Sequence, residues 1–262
     1  MIPLGEPVTE AFLARPVLDV ARDLLDCTIT HAGVTVRITE TEAYAGLGDP
    51  GSHGFRGPTP RTQVLFGPAG ALYVYFTYGM HWCANLVTGL DGVGSAVLLR
   101  AGEVVDGTEV ARERRGGGQR SIPERDLARG PARLAVALGL TGAQNGIQTL
   151  EPGSPVMVRH PQSARQSSAS VAAAPDVLTG PRVGVSGPGG DGTAYPWRFW
   201  LAGDPTVSPY RAAVPRRRKP LCEVADVTRK AGSARSAMNS NAPSCEAISM
   251  GVVGVHVGTA CG

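Results

Sequence analysis

Val34, Val36 and Ile38 alternate with Thr35, Arg37 and Thr39, the period-two signature of a strand with one buried face. The same period carries Glu40, Glu42 and Tyr44 onto the face that begins with Val34. An unpaired carboxylate in an apolar interior is costly, so this strand admits three arrangements. The carboxylates work at a site, a bulge turns them outward, or arginines pair them as part of the structure.

The flanking sequence supplies further elements. Pro16 to Leu25 reads as a helix, with Pro16 in its first turn and Val17, Leu18, Ala21, Leu24 and Leu25 on one stripe. Thr108–Arg115 reads as a short helix, and Gly130 and Pro131 open another that runs through Leu138 and closes at Gly139. Strands are expected at Ala71–Phe76, Trp82–Val87, Ser95–Ala101, Val156–Arg159, Arg182–Val185 and Trp197–Leu201. Glycine (35) and proline (21) make about a fifth of the chain, in keeping with many turns. Pro50 to Pro60 and the Ser/Ala-rich stretch Gln162 to Ala174 read as loops. No run of ~18 apolar residues predicts a membrane span, and Met1 to Val8 lacks the character of a secretion signal. The five cysteines, with no Cys-x-x-Cys, suit free thiols in a reducing compartment rather than a zinc ribbon.

Charge points in two directions. The net +3 resides in the tail: from Arg216 onward there are seven basic and three acidic residues, which leaves 18 basic and 19 acidic ahead of it. Locally, no acidic residue lies between Asp49 and Asp91, whereas Arg56 and Arg61 do. Such a window suits close approach to phosphates, and it equally suits a stretch that is simply apolar. Within it, Tyr73 to Trp82 holds four Tyr or Trp residues in a chain that is 5% aromatic. Tyr73 and Tyr75 share one strand face; Leu72, Val74 and Phe76 share the other. Tyr78 and Met80 flank Gly79 at the expected hairpin tip, where a large side chain suits a wedge between base pairs or an ordinary turn tyrosine over a core.

Several segments in fixed order carry a resemblance. Glu40 to Tyr44, Asp49 to His53, Phe66-Gly67-Pro68, Tyr73 to His81, Asn85 and Val97 to Ala101 are similar to the alkyladenine (3-methyladenine) DNA glycosylase family. Gly130-Pro131 with Leu134, Arg182 to Val185, Trp197 to Trp200 and Gly203-Asp204-Pro205 fit its later segments, so that the likeness spans roughly residues 5–212. The resemblance implies an α+β fold: a single mixed domain over 1–214 with a curved, largely antiparallel sheet, flanking helices and a protruding hairpin that enters the DNA minor groove. It implies that Glu42 is the general base, that Tyr44, His53 and Tyr75 line the base pocket, and that Asn85 lies at the base edge. It makes Tyr78 the wedge and places Arg100 near the scissile bond, with Arg56, Arg61 and Met80 against the DNA backbone. The implied partner is double-stranded DNA carrying a damaged purine, bound by a monomer with no cofactor and no metal in the bacterial cytoplasm.

Elementary chemistry agrees with that reading. A carboxylate can deprotonate a water and stabilise positive charge growing on the sugar. Lyase-type glycosylases need an amine, and the only lysines are Lys219 and Lys230, both in the tail. No His-x-Glu with a downstream Cys-x-x-Cys suggests a zinc deaminase, and no Walker or dinucleotide fingerprint appears. Taken singly, His53 reads as a loop histidine, Asn85 as a backbone-satisfying amide, Arg100 as a strand-end ion-pair partner and Cys83 as a small core residue. Two positions depart from the family: Thr62 stands where Asn is common, and Leu65 where Met is common. The 215–262 extension, basic at Arg216 to Lys219 and without clear periodicity before Val252, reads as a disordered arm or the product of a shifted reading frame.

Overall fold

The structure, a computed structural model, describes residues 4–77, 79–117, 121–161 and 176–213. Tyr78, the Gln162–Ala174 loop and the 215–262 extension therefore lie outside the described residues. In chain order the elements are α1 (Glu10–Leu13), α2 (Val17–Asp23), β1 (Thr28–His31), β2 (Val34–Tyr44), β3 (Leu72–Thr77), β4 (His81–Thr88), β5 (Ser95–Asp106), α3 (Thr108–Arg114), β6 (Ala128–Arg129), α4 (Pro131–Leu138), β7 (Val156–Arg159), β8 (Val177–Gly180) and β9 (Arg198–Leu201). Among the described residues the strands form one nine-stranded sheet in the order β3-β4-β5-β2-β1-β7, with β6 on β5 and the β8–β9 pair on β2. Every pairing is antiparallel. This is the mixed α+β domain expected from the sequence.

Local chemistry explains the connections. β1 and β2 meet across Ala32 and Gly33, both at positive φ (45° and 81°), the paired left-handed conformation whose twist suits a two-residue hairpin. Helix α4 starts with Pro131 in its first turn and stops at Gly139, which is left-handed at φ 72°. Its buried Leu134, Ala135, Ala137 and Leu138 pack across β4 and β5. The end of α4 is fixed by His31, whose Nδ1 lies 2.8 Å from the Leu138 carbonyl oxygen. Helix α2 buries Val17, Val20 and Ala21 against the sheet, followed by buried Leu24 and Leu25. Leu18 is exposed, so the stripe runs through Val20 instead.

The strand that opened the sequence reading departs from strict alternation. Pairing between β2 and β5 shifts register at Ile38/Glu40 and again at Glu40/Thr41, which leaves Thr39 as an extra residue on β2 and Arg100 as one on β5. Val34, Val36 and Ile38 belong to the main hydrophobic core, and beyond the bulge Ala43 joins it. Thr41 shares that side, donating to the Ala21 carbonyl of α2 at 2.7 Å. Glu40, Glu42 and Tyr44 thus point to the opposite face from Ile38, contrary to the continuous face expected from the period. The reversal does not expose the carboxylates: Glu40 and Glu42 are 0% accessible, because β5 and β9 flank them on either side.

A second departure concerns Arg182–Val185, which forms a turn rather than a strand. Gly184 is left-handed at φ 71°, and the Val183 N–H donates to a Glu42 carboxylate oxygen instead of a strand ladder. The neighbouring β8 supplies the strand of this region.

Candidate active site

Glu40 is the hub of a buried ionic cluster. Its Oε1 accepts from Arg198 Nε at 2.6 Å, Arg100 Nε at 2.8 Å and the Ser208 hydroxyl at 3.0 Å, and its Oε2 accepts from the Ser208 N–H at 2.8 Å. Burial alone would raise the Glu40 carboxyl pKa; Arg100, Arg198 and the Ser208 hydrogen bonds outweigh it and hold it below the ordinary carboxylate value. Its partners come from positions up to 168 residues away in sequence, so fold closure alone assembles this cluster.

Glu42 lies two residues on. Arg100 Nη1 approaches its Oε1 at 3.2 Å, the Val183 N–H donates to the same oxygen at 2.6 Å, and the Tyr44 hydroxyl donates to Oε2 at 2.8 Å. The Arg100 bulge allows this double engagement, since it places one guanidinium between the two carboxylates. Burial lowers the Arg100 pKa, but Glu42 and Glu40 more than reverse that and raise it. Burial and Glu42 both raise the Tyr44 hydroxyl, which keeps it a donor.

Arg182 holds the Val183 amide in place. It is wholly buried, donates to both Asp49 oxygens at 2.5 and 2.7 Å, and also donates to the Ala43 and Gly189 carbonyls. Asp49 in turn accepts from the Ala45 and Gly51 N–H groups, which shapes the loop that leads to His53. The Arg182 guanidinium also lies over the Tyr44 ring, 4.6 Å from its centroid.

An open cavity of about 600 Å³ rises from this floor. Strand β3 supplies one wall, where Tyr73 and Tyr75 stack at 5.5 Å with 24° between their planes. Leu72 and Val74 face the core, and Phe76, exposed at the sheet end, packs on Trp82. His53 sets its ring edge against Tyr75 at 4.5 Å, with Nδ1 3.3 Å from the Tyr73 hydroxyl. The residue remains partly exposed; partial burial, and then Arg61, hold its pKa below the ordinary imidazole value. Asn85 donates from its amide nitrogen to the Tyr73 carbonyl at 3.0 Å, which fixes its orientation at the wall.

Six residues singled out from the sequence thus converge on one cavity: Glu42, Tyr44, His53, Tyr75, Asn85 and Arg100. Arg56, Arg61 and Met80 do not line it; all three are exposed, Met80 at 66%. Arg61 lies over the Tyr75 ring at 5.9 Å. Cys83 is a wall residue of the cavity rather than a core residue, since β4 turns it toward Tyr75. Arg100 lies inside β5 and not at a strand end. Sequence reasoning missed Ser208, Arg198, the Val183 amide and the Asp49–Arg182 pair. The only signal was a set of charged residues embedded in Gly/Pro-rich or aromatic segments. Among the described residues, no group of three or more His, Cys, Asp or Glu side chains is placed to hold a metal.

Comparison with known proteins decides what these residues belong to. Residues 11–205 match the family model described as methylpurine-DNA glycosylase. The chain belongs to the methylpurine-DNA glycosylase family. A Streptomyces avermitilis protein named "Putative 3-methyladenine DNA glycosylase" is 50% identical over 218 residues, covering 81% of this chain and 96% of that protein. Identically named proteins of Leifsonia xyli and Frankia casuarinae are 50% and 49% identical, covering 80% and 79% of this chain and 95% and 93% of theirs. Family membership makes this methylpurine-DNA glycosylase relative a hydrolase of DNA repair that acts on DNA. Among the described residues no helix is long and apolar enough to cross a membrane.

Proposed function

We propose that the protein excises damaged purines, alkylated or deaminated, from duplex DNA by direct hydrolysis, with Glu42 activating the water. The observation that carries this reading is a fully buried carboxylate at the floor of an open aromatic cavity. In the proposed reaction a water oxygen bonds to C1′ of the damaged nucleotide, its proton passes to Glu42, and the C1′–N bond breaks with its electron pair leaving on the base. The product is an abasic site. Arg100 and the Val183 N–H aim the carboxylate, so that its negative charge is already in place, with no rearrangement, as positive charge grows on the sugar.

Tyr75, Tyr44 and His53 are assigned to hold the extruded base, and Asn85 to read its edge. Base–aromatic stacking contributes about 1–3 kcal/mol per base, while extrusion costs a few kcal/mol, so two ring contacts offset the flipping of a weakly paired base. Tyr78 is assigned the wedge that fills the vacated stack from the minor-groove side. Arg56, Arg61 and Met80 are assigned to the DNA backbone, on a surface free of carboxylates from 50 to 90. The protein acts as a monomer in the bacterial cytoplasm, where the abasic product feeds base excision repair.

Duplexes carrying single 3-methyladenine, hypoxanthine or ethenoadenine test the proposal. Excision by the wild-type protein, reduced about 10²- to 10⁴-fold in Glu42→Gln with binding retained, is the expected result. Equal and unreactive binding to every duplex would instead favour a non-catalytic DNA-binding module. Release of base from free nucleosides at the duplex rate would favour a nucleoside hydrolase.

A further inference from the structure

Arg100 and Arg211 both line the cavity, and they differ in kind. Arg100 is buried and spends its charge on Glu40 and Glu42. Arg211 is exposed, and among the described residues it has no carboxylate within 4.0 Å. The turn from Val183 to Ser186 and the neighbouring Ala212 also line the cavity and carry no charged side chain.

The backbone that carries Arg211 is tied to the cavity floor on two sides. Ahead of it, the Thr206 hydroxyl lies 2.8 Å from the hydroxyl of the bulge residue Thr39. Ser208 then donates to both Glu40 oxygens, from its N–H at 2.8 Å and its hydroxyl at 3.0 Å. Arg211 follows Ser208 by three residues, and its carbonyl accepts from the Gly184 N–H at 3.1 Å. Gly184 adjoins Val183, whose N–H donates to Glu42. The main chain at Arg211 is thus held in register with the carboxylates of β2, while its charged end is left free.

An exposed guanidinium with no partner adds little to stability. Held beside Glu42, it suits an anion that arrives from outside, and its planar fork matches the oxygens of a phosphate. DNA brings that anion in every nucleotide. With the base among the rings of the cavity and C1′ at Glu42, the phosphodiesters on either side of the same sugar pass out through the cavity mouth. We propose that Arg211 forms a phosphate subsite, in which its guanidinium pairs with one of the two phosphodiesters flanking the extruded nucleotide and so holds C1′ over Glu42. This rests on the glycosylase reading above and adds to it a contact made only once the nucleotide has left the helix.

The test is a cycle between protein and DNA. The duplex is whichever of the three lesion duplexes above the wild-type protein excises, made with an ordinary backbone or with one neutral methylphosphonate immediately 5′ or immediately 3′ of the lesion. Excision is followed in single turnover below saturating enzyme. On the ordinary duplex, Arg211→Gln should be about ten- to hundredfold slower than wild type, and Arg211→Lys, which keeps the charge without the fork, should fall between them. At one flank the methylphosphonate should slow the wild type by a similar factor and slow Arg211→Gln by less than about twofold; at the other flank the two losses should multiply. Arg211→Gln should also lower the slope of log affinity against log salt by about one. A merely structural role for Arg211 would not single out one phosphate. Multiplying losses at both flanks, or an Arg211→Gln rate equal to wild type, overturns the proposal and leaves the glycosylase reading standing. No excision of any of the three lesions by the wild-type protein overturns the glycosylase reading itself.

Discussion

The two halves of β2 are equally buried and stabilised by opposite means. Val34, Val36 and Ile38 need only apolar neighbours, and any well-packed hydrocarbon of the right volume satisfies them. Glu40 and Glu42 need particular atoms: Arg100 from β5, Arg198 from β9, the Ser208 N–H and hydroxyl, and the Val183 amide. The first half tolerates approximation. The second is satisfied only when distant parts of the chain arrive together, and it therefore ties correct closure of the fold to the placement of the carboxylate at the cavity floor.

The sharpest way to break this contrast is to remove the hub. Glu40→Ala leaves Arg198 without its carboxylate in a buried site, and is expected to lower the unfolding free energy by about 3–5 kcal/mol in urea titrations. Ile38→Ala, on the apolar half, should cost about 2–5 kcal/mol, but Ile38→Val only about 0.5–1.5 kcal/mol, because methyl groups can be given up singly. If Glu40→Gln were as mild as Ile38→Val, the two halves would not differ in kind.

Acid should discriminate them next. The folded-state pKa of Glu40 is depressed, so its stabilising contribution is present above the unfolded value of about 4.3 and is lost as pH falls through the lower folded value. Urea midpoints of the wild type and Glu40→Gln should therefore converge below about pH 4, whereas the deficit of Ile38→Val should persist. The smallest effect belongs to Thr41→Val, which deletes one hydrogen bond to the Ala21 carbonyl and should cost about 1 kcal/mol with excision unchanged.

This contrast also explains what could be read in advance. Elements whose signals are local were legible: α4 between Pro131 and Gly139, β7 at Val156–Arg159, and the two faces of β3. The six cavity residues were legible through resemblance, not periodicity, which gives none of their mutual distances. The phase of β2 was misread because a bulge has no compositional mark; Thr39 looks like any strand threonine. The strand expected at Arg182–Val185 failed because Arg182 spends its donors on Asp49 and on the carbonyls of Ala43 and Gly189, a set of partners that exists only after folding. Ser208, 168 residues from Glu40, could be found only in three dimensions.

The paired irregularities at Thr39 and Arg100 act as a parity switch. On β5, Val97 and Leu99 face the core while Ala96, Leu98 and Arg100 line the cavity; beyond the switch Val104 packs on the core. Each strand carries one surplus residue at the same level, so the hydrogen-bond ladder resumes in step while odd and even positions exchange sides. Were Thr39 instead paired as an ordinary strand residue, the uninterrupted pleat would carry Glu42 into hydrocarbon and Ala43 into the cavity. The chemistry of this domain depends on counting to an odd number.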